Sequence, residues 1–146
     1  MNNDAKRFVK MFQPKFHLLV KYGQKLQTVR PIPKRMPERG DIISCRKWVD
    51  KPYRSKQEVL RESCINEVLP VEIRRDEVRV KNSRVDAEVF AKADGFVDFK
   101  EMVSWFENTH GLPFKGILIS WSEYHLDQEE RDELVREKIE SDAKYD

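Results

Sequence analysis

Long apolar runs are missing from this chain. No stretch approaches the roughly 18 residues that would cross a bilayer as a helix, and the opening MNNDAKRFVKMF lacks the extended apolar segment of a secretion signal. The expectation is a soluble, cytoplasmic protein that uses no membrane. Cysteine is scarce: Cys45 and Cys64 fit neither a zinc site nor a dense disulfide framework, so two buried thiols are expected. The histidines, His17, His110 and His125, are scattered without ligand spacing, so neither a metal nor another cofactor is expected. Also absent are the G-x-x-x-x-G-K phosphate loop and the G-x-S-x-G and H-E-x-x-H signatures, which argues against several common hydrolase classes.

What the chain does have is charge and aromatic side chains. Charged residues make up 37% of it, yet hydrophobic residues reach 39% and include eight Phe, four Tyr and three Trp, enough for one core. One domain is expected over residues 1–126, followed by a charged, helical tail over 127–146. The net charge of +2 hides two opposed blocks. Residues 21–56 carry eleven Lys or Arg against three acids, a balance of +8, whereas 127–146 carry nine acids against four bases, a balance of −5. A polyanion suits the first block, and the acidic tail suits a protein partner or competes for the basic surface. Two ordinary solvated faces would leave the same pattern.

Local signals give a coarse map. Pro14 suits the first position of a helix that contains Phe16, Leu19 and Val20 and closes at Gly23. Leu26 to Arg30 reads as a short strand stopped by Pro31 and Pro33. Arg39, Gly40 and Asp41 turn the chain into a strand that starts at Ile42 and extends toward Trp48. Residues 49–63 read as a loop followed by a short helix from Ser55. Val71 and Ile73, then Val78 and Val80, alternate as a hairpin turning near Arg75 and Asp76. Asp98 can cap a helix whose stripe is Phe99, Met102, Val103 and Phe106 and which Gly111 and Pro113 end. Gly116 to Trp121 is apolar enough for a buried central strand.

One constellation carries chemistry. Lys25 follows a glycine turn, while Thr28 and Arg30 are two apart on a strand and so project from one face. An ammonium, a hydroxyl and a guanidinium converging on one cleft suit a phosphate, a carbonyl oxygen or a developing oxyanion. A carboxylate from Asp94, at the turn before the capped helix, would complete a set able to activate a hydroxyl or a water. Taken singly, each residue also has a plain structural role: Thr as a β-former, Lys and Arg as surface charge, Asp-Gly as a turn.

The segment GQKLQTVR, Gly23 to Arg30, resembles the G-x-K-x-x-T-x-R signature of ASCH domains, a branch of the PUA-like superfamily. RGDII at Arg39 to Ile43, FAKADGFVDFKEMVSWF at Phe90 to Phe106, and FKGILISW at Phe114 to Trp121 resemble further blocks of that family in the same order. The resemblance implies an α+β fold, a PUA-like mixed β-barrel with flanking helices, that binds RNA or a modified nucleoside. Some ASCH proteins are amidohydrolases of 4-acetylcytidine, others are reported as ribonucleases, and the wider superfamily binds RNA without chemistry. In the amidohydrolase reading Thr28 is the nucleophile, Lys25 its activator and Asp94 the acid or base. Here the acid is Asp where those enzymes have Glu, which draws the carboxyl back by about 1.5 Å.

A second cluster, Arg46, Lys47, Trp48, Tyr53, Arg54 and Lys56, interleaves cations with two aromatic rings and suits single-stranded nucleic acid. Its W-x-x-x-P-Y-R-S-K stretch is similar to one in some phage and bacterial ASCH relatives. Trp48 as a core residue with solvated neighbours is the alternative.

Overall fold

The computed structural model describes residues 5–126 together with 129, 130 and 133. Apart from those three positions, the tail expected over 127–146, and with it the surface for a protein partner, lies outside the described residues.

The first element precedes the one expected at Pro14. Strand β1, Arg7–Met11, lies parallel to β3, Ile42–Trp48, with Phe8 opposite Ile43 and Lys10 opposite Cys45. Nothing in RFVKM announces a strand by itself, and pairing with β3 decides it. Pro14 then opens a 3-10 turn, Pro14–Phe16, that runs into the short helix α1, His17–Lys21. Gly23, at φ +76°, ends this unit as its position suggested. Strand β2, Gln27–Arg30, stops at Pro31, and β3 starts just after the Gly40 turn, both as read from the sequence.

The expected loop and short helix over 49–63 are corrected by the structure. From Gln57 the chain is already in β4, Gln57–Ile73, a strand of 17 residues. Its opening, QEVLRES, has good helix propensity, but pairing with β3, with Arg46 opposite Val59 and Ile42 opposite Cys64, overrides that local preference. A straight strand of this length would reach about 55 Å, far beyond the width of a domain with a radius of gyration of about 15 Å. The register slips at Cys45/Arg46 and at Ile65/Glu67, leaving Leu60 and Asn66 as extra residues where the strand can bend. The first half of β4 pairs with β3, and the second half with β7, Phe114–Trp121, and β5, Val78–Val80.

The β4–β5 hairpin matches expectation, with Ile73 opposite Val78 and the Arg74 N–H donating to the Glu77 carbonyl at 2.9 Å. Strand β6, Ser83–Val85, and helix α2, Ala87–Ala93, were not foreseen; Asp86 caps α2 by accepting from the N–H groups of Glu88 and Val89. Helix α3, Phe99–Thr109, follows its predicted cap, Asp98 accepting from the Glu101 N–H at 2.8 Å. Glu101 reaches back to the Val97 N–H, one residue before the cap, so the reciprocal bond closes on a neighbour of the usual partner.

Together these elements form an α+β fold with a seven-stranded mixed sheet and three α-helices among the described residues. Strand β7 is flanked by β2 and β4, and β1, β2 and β6 each pair along one side. The core lies where Ile43, Ile73 and Ile119 of the sheet meet Met102 and Phe106 of α3. Each such side chain stabilises the fold by about 1.5–3 kcal/mol. Cys45 is fully buried, whereas Cys64, expected to be buried, is only half-buried, and both are free thiols. No described helix is long and apolar enough to cross a membrane.

Candidate functional site

The turn after α1 delivers Lys25. The N–H groups of Gln24 and Lys25 both donate to the Leu19 carbonyl, at 2.8 and 2.9 Å, which folds the chain back at Gly23 and turns the Lys25 side chain inward. That side chain is 3% exposed. Its Nζ donates to the backbone carbonyl of Asp94 and lies 3.3 Å from Asp94 Oδ1. It also lies 4.7 Å from the centre of the Phe16 ring, close enough for a cation–π contact.

Asp94 is placed by the C-terminus of α2, where it is the capping residue, and its side chain is 4% exposed. Gly95 follows at φ +99°, and a Cβ there would sit 2.9 Å from the Phe16 ring and 3.1 Å from Lys25 Cδ, so glycine is required both by conformation and by space. Gln27 Nε2 donates to Asp94 Oδ1 at 3.4 Å, a partner that the sequence reading overlooked because Gln27 falls at an unspecified position of the signature.

Strand β2 places Thr28 opposite Ile119 and Arg30 opposite Ile117 on β7, both side chains on one face. Arg30 Nε donates to Thr28 Oγ1 at 3.0 Å, and Nη2 donates to the Met11 carbonyl at 2.9 Å. The guanidinium lies over Phe12, 4.8 Å from the ring centre. Phe12 in turn is fixed from behind, where His17 Nε2 donates to its carbonyl at 2.7 Å.

Lys25, Thr28, Arg30 and Asp94 border one cavity of about 310 Å³, at the lower end of the range for small-molecule pockets. The four residues singled out from the sequence therefore meet, although Asp94 is 69 residues from Lys25. Thr28 is buried, yet it faces this cavity. The apolar walls come from Phe12, Phe16, Phe96, Trp105 and Phe106, and sequence reasoning assigned none of them to the site. Phe16 packs edge to face on Phe96 and Trp105 at centroid distances of 5.4 and 6.3 Å, and Phe96 and Trp105 meet at a tilt at 5.9 Å. Phe106 lay in the predicted helix stripe, but a stripe cannot say which of its rings also borders a cavity.

Burial dominates the electrostatics. It lowers the proton affinity of the Lys25 ammonium, and the nearby Asp94 carboxylate pulls that affinity part of the way back up. It raises the pKa of Asp94, and Lys25, followed by Gln27 and Arg30, opposes the rise. Both members of the pair are thus driven toward their neutral forms, an arrangement suited to exchanging a proton.

The second cluster divides. Tyr53 borders the cavity although its side chain is 90% exposed, and its ring meets that of Trp48 at 5.3 Å. Tyr53 sits at φ +62°, in the β3–β4 connection. Arg54 and Lys56 are exposed on the same connection. Arg46 and Lys47 are engaged on the sheet: Arg46 donates to Ser44 Oγ and Gln57 Oε1, each at 2.9 Å, and Lys47 pairs with Glu58 at 3.2 Å. Trp48 is half-buried, between the two readings made of it. No family model, curated protein or solved structure matches this chain.

Proposed function

We propose that the protein binds RNA or a modified nucleoside, with one base entering the cavity bordered by Lys25, Thr28, Arg30 and Asp94. In this reading the chain is an ASCH-type member of the PUA-like superfamily, and its bent sheet is a barrel-like wrap around the core. The observation that carries it is the meeting of these polar side chains in an aromatic-walled cavity that Tyr53 overhangs. Aromatic walls offer stacking faces to any base, and the polar groups offer donors and acceptors to a base edge. Arg54 and Lys56, exposed beside Tyr53, supply phosphate contacts. Filter binding of single-stranded RNA across a salt series tests the reading. Affinity that falls as salt rises is expected; no affinity, or affinity indifferent to salt, rejects it.

A second reading, hydrolysis of an acylated nucleoside, is favoured by the shifts of Lys25 and Asp94 toward their neutral forms beside the Thr28 hydroxyl. Thr28 Oγ adds to the acyl carbon while its proton passes to the Lys25 amine. The C–N bond then breaks, the departing amine takes a proton from the Lys25 and Asp94 pair, and water hydrolyses the acyl-threonine ester to free acid and threonine. Acetate release from 4-acetylcytidine that disappears in Lys25→Ala and Thr28→Ala supports this chemistry. Binding without turnover leaves the binding module, and strand scission of the RNA supports a ribonuclease instead.

A further inference from the structure

Two basic groups, Arg30 and His110, border the cavity, a third, Lys10, stands on β1 beside it, and none of the three forms an ion pair with a carboxylate among the described residues. Arg30 uses Nε and Nη2 on Thr28 and Met11, while Nη1 has no hydrogen-bond partner among the described residues. Its stacking on Phe12 holds the guanidinium plane, so the direction of that remaining donor is fixed. His110 borders the same cavity from the C-terminal end of α3. Its ring packs against Trp105 at 5.8 Å and Phe114 at 4.8 Å, and its nitrogens are unbonded among the described residues. Lys10 stands on β1 one residue before the cavity-lining Met11, on the same strand face as Phe8 and Phe12, and it too forms no ion pair or hydrogen bond among the described residues.

Arg30 is close enough to each of the other two to repel it. Burial, and after it the charge of Arg30, lowers the proton affinity of both Lys10 and His110. The Asp94 carboxylate acts on Arg30 from a distance, but its hydrogen bonds go to Lys25 and Gln27, and it is not among the influences on Lys10 or His110. Arg30 is the charged group facing the His110 imidazole, and no carboxylate lies within ion-pair distance of that ring among the described residues. The repulsion that Arg30 exerts on the other two contributes nothing to fold stability. A ligand carrying two negative charges would gain a fixed guanidinium donor, an ammonium and an imidazolium at once.

We propose that Lys10, Arg30 and His110 form a phosphate subsite at the cavity mouth, so that the ligand is a nucleotide or an RNA residue with its phosphate and not an uncharged nucleoside. This inference rests on the base-binding reading above and adds where the phosphate lies. The base enters among the aromatic walls, and the phosphate stays outside against Arg30 Nη1. The hairpin cations Arg54 and Lys56 then serve neighbouring phosphates of a longer strand.

The test is calorimetric titration of the intact protein with a set of nucleosides, their 3′- and 5′-monophosphates, and inorganic phosphate, alongside NMR titration of the His110 imidazole. The expected result is at least about tenfold tighter binding of one monophosphate series than of the matching nucleosides, as for a charge-assisted contact. The His110 resonances should move toward the imidazolium form when that monophosphate is added. Lys10→Gln, which keeps most of the side-chain length and removes the charge, should shrink the ratio of the two affinities several-fold. Equal affinity for nucleoside and monophosphate overturns the subsite while the base-binding reading stands. Tight binding of inorganic phosphate with no contribution from any base supports the subsite and rejects the base-binding reading. Failure of every compound to bind, with the His110 resonances unmoved, overturns both.

Discussion

Lys25 and Asp94, 69 residues apart in sequence, form a contact whose two side chains are 3% and 4% exposed, and the ammonium engages both the carboxylate and the backbone carbonyl of its partner. A desolvated pair of this kind holds its geometry because neither member has water as an alternative. Breaking it by removing one partner strands a buried charge, at a cost of about 3–5 kcal/mol.

Lys25→Met therefore gives a pH signature as well as a loss of stability. Burial already raises the pKa of Asp94, and Lys25 is the largest influence holding it down, so the variant's carboxyl rises further. A folded-state pKa above the unfolded value near 3.8 means that the folded protein keeps a proton the unfolded chain releases. The resulting stability is present below that pH and is lost as pH rises through the folded-state value. Urea denaturation at about pH 5 and pH 8 should show the variant closer to wild type at the lower pH; the opposite ordering would remove Asp94 as the cause.

The two thiols should react at very different rates. Burial drives the Cys45 pKa from 9.0 to about 12, against the opposing influence of Arg30 and Lys25, whereas the half-buried Cys64 is raised by burial and then by the charge of Glu130. Because the thiolate is the reactive species, iodoacetamide under native conditions should label Cys64 well before Cys45, with Cys45 reacting only on unfolding. Peptide mass mapping of a time course reads this directly.

Gly95→Ala should cost stability and disturb the site together. The new Cβ would meet the Phe16 ring at 2.9 Å at a φ of +99°, so both packing and backbone are strained. A loss of about 1–3 kcal/mol is expected in thermal or chemical denaturation. A Gly40→Ala control has the positive φ of +91° but nothing within 4 Å of the added Cβ, and should cost less.

Tyr53→Ala should separate binding from folding. The side chain is 90% exposed and touches Trp48, so its loss should leave the unfolding midpoint nearly unchanged. RNA affinity should fall by an amount typical of one stacked base, about 1–3 kcal/mol. Undiminished affinity would confine recognition to the cavity interior.

The parts of the fold that the sequence announced are those with strong local punctuation. Pro14 and Gly23 bracket the first helical unit, Asp98 and Gly111 bracket α3, and Val71, Ile73, Val78 and Val80 alternate as a hairpin must. The misses at β1 and β4 share one cause, which is that pairing partners far away in the chain decided the outcome. RFVKM becomes β1 only beside β3, and QEVLRES becomes strand instead of helix for the same reason. The site followed the same division. Lys25, Thr28 and Arg30 were legible because one turn and one strand orient all three, and Asp94 because it ends a turn. Phe12 comes from just after β1, and Trp105 and His110 from α3 and its C-cap, two separate segments whose meeting no local pattern encodes.

The pairing of β2 has a consequence for when function can begin. Its only ladder among the described residues is with β7, where Thr28 lies opposite Ile119, so a nascent chain that has passed Asp94 already contains Lys25, Thr28, Arg30 and Asp94 but not the strand against which β2 pairs. Until β7, Phe114–Trp121, is made, the strand part of GQKLQTVR has no ladder partner among the described residues. On the RNA-binding reading proposed above, the cleft is complete only when β7 lies between β2 and β4, so a chain that ends before β7 is expected not to bind.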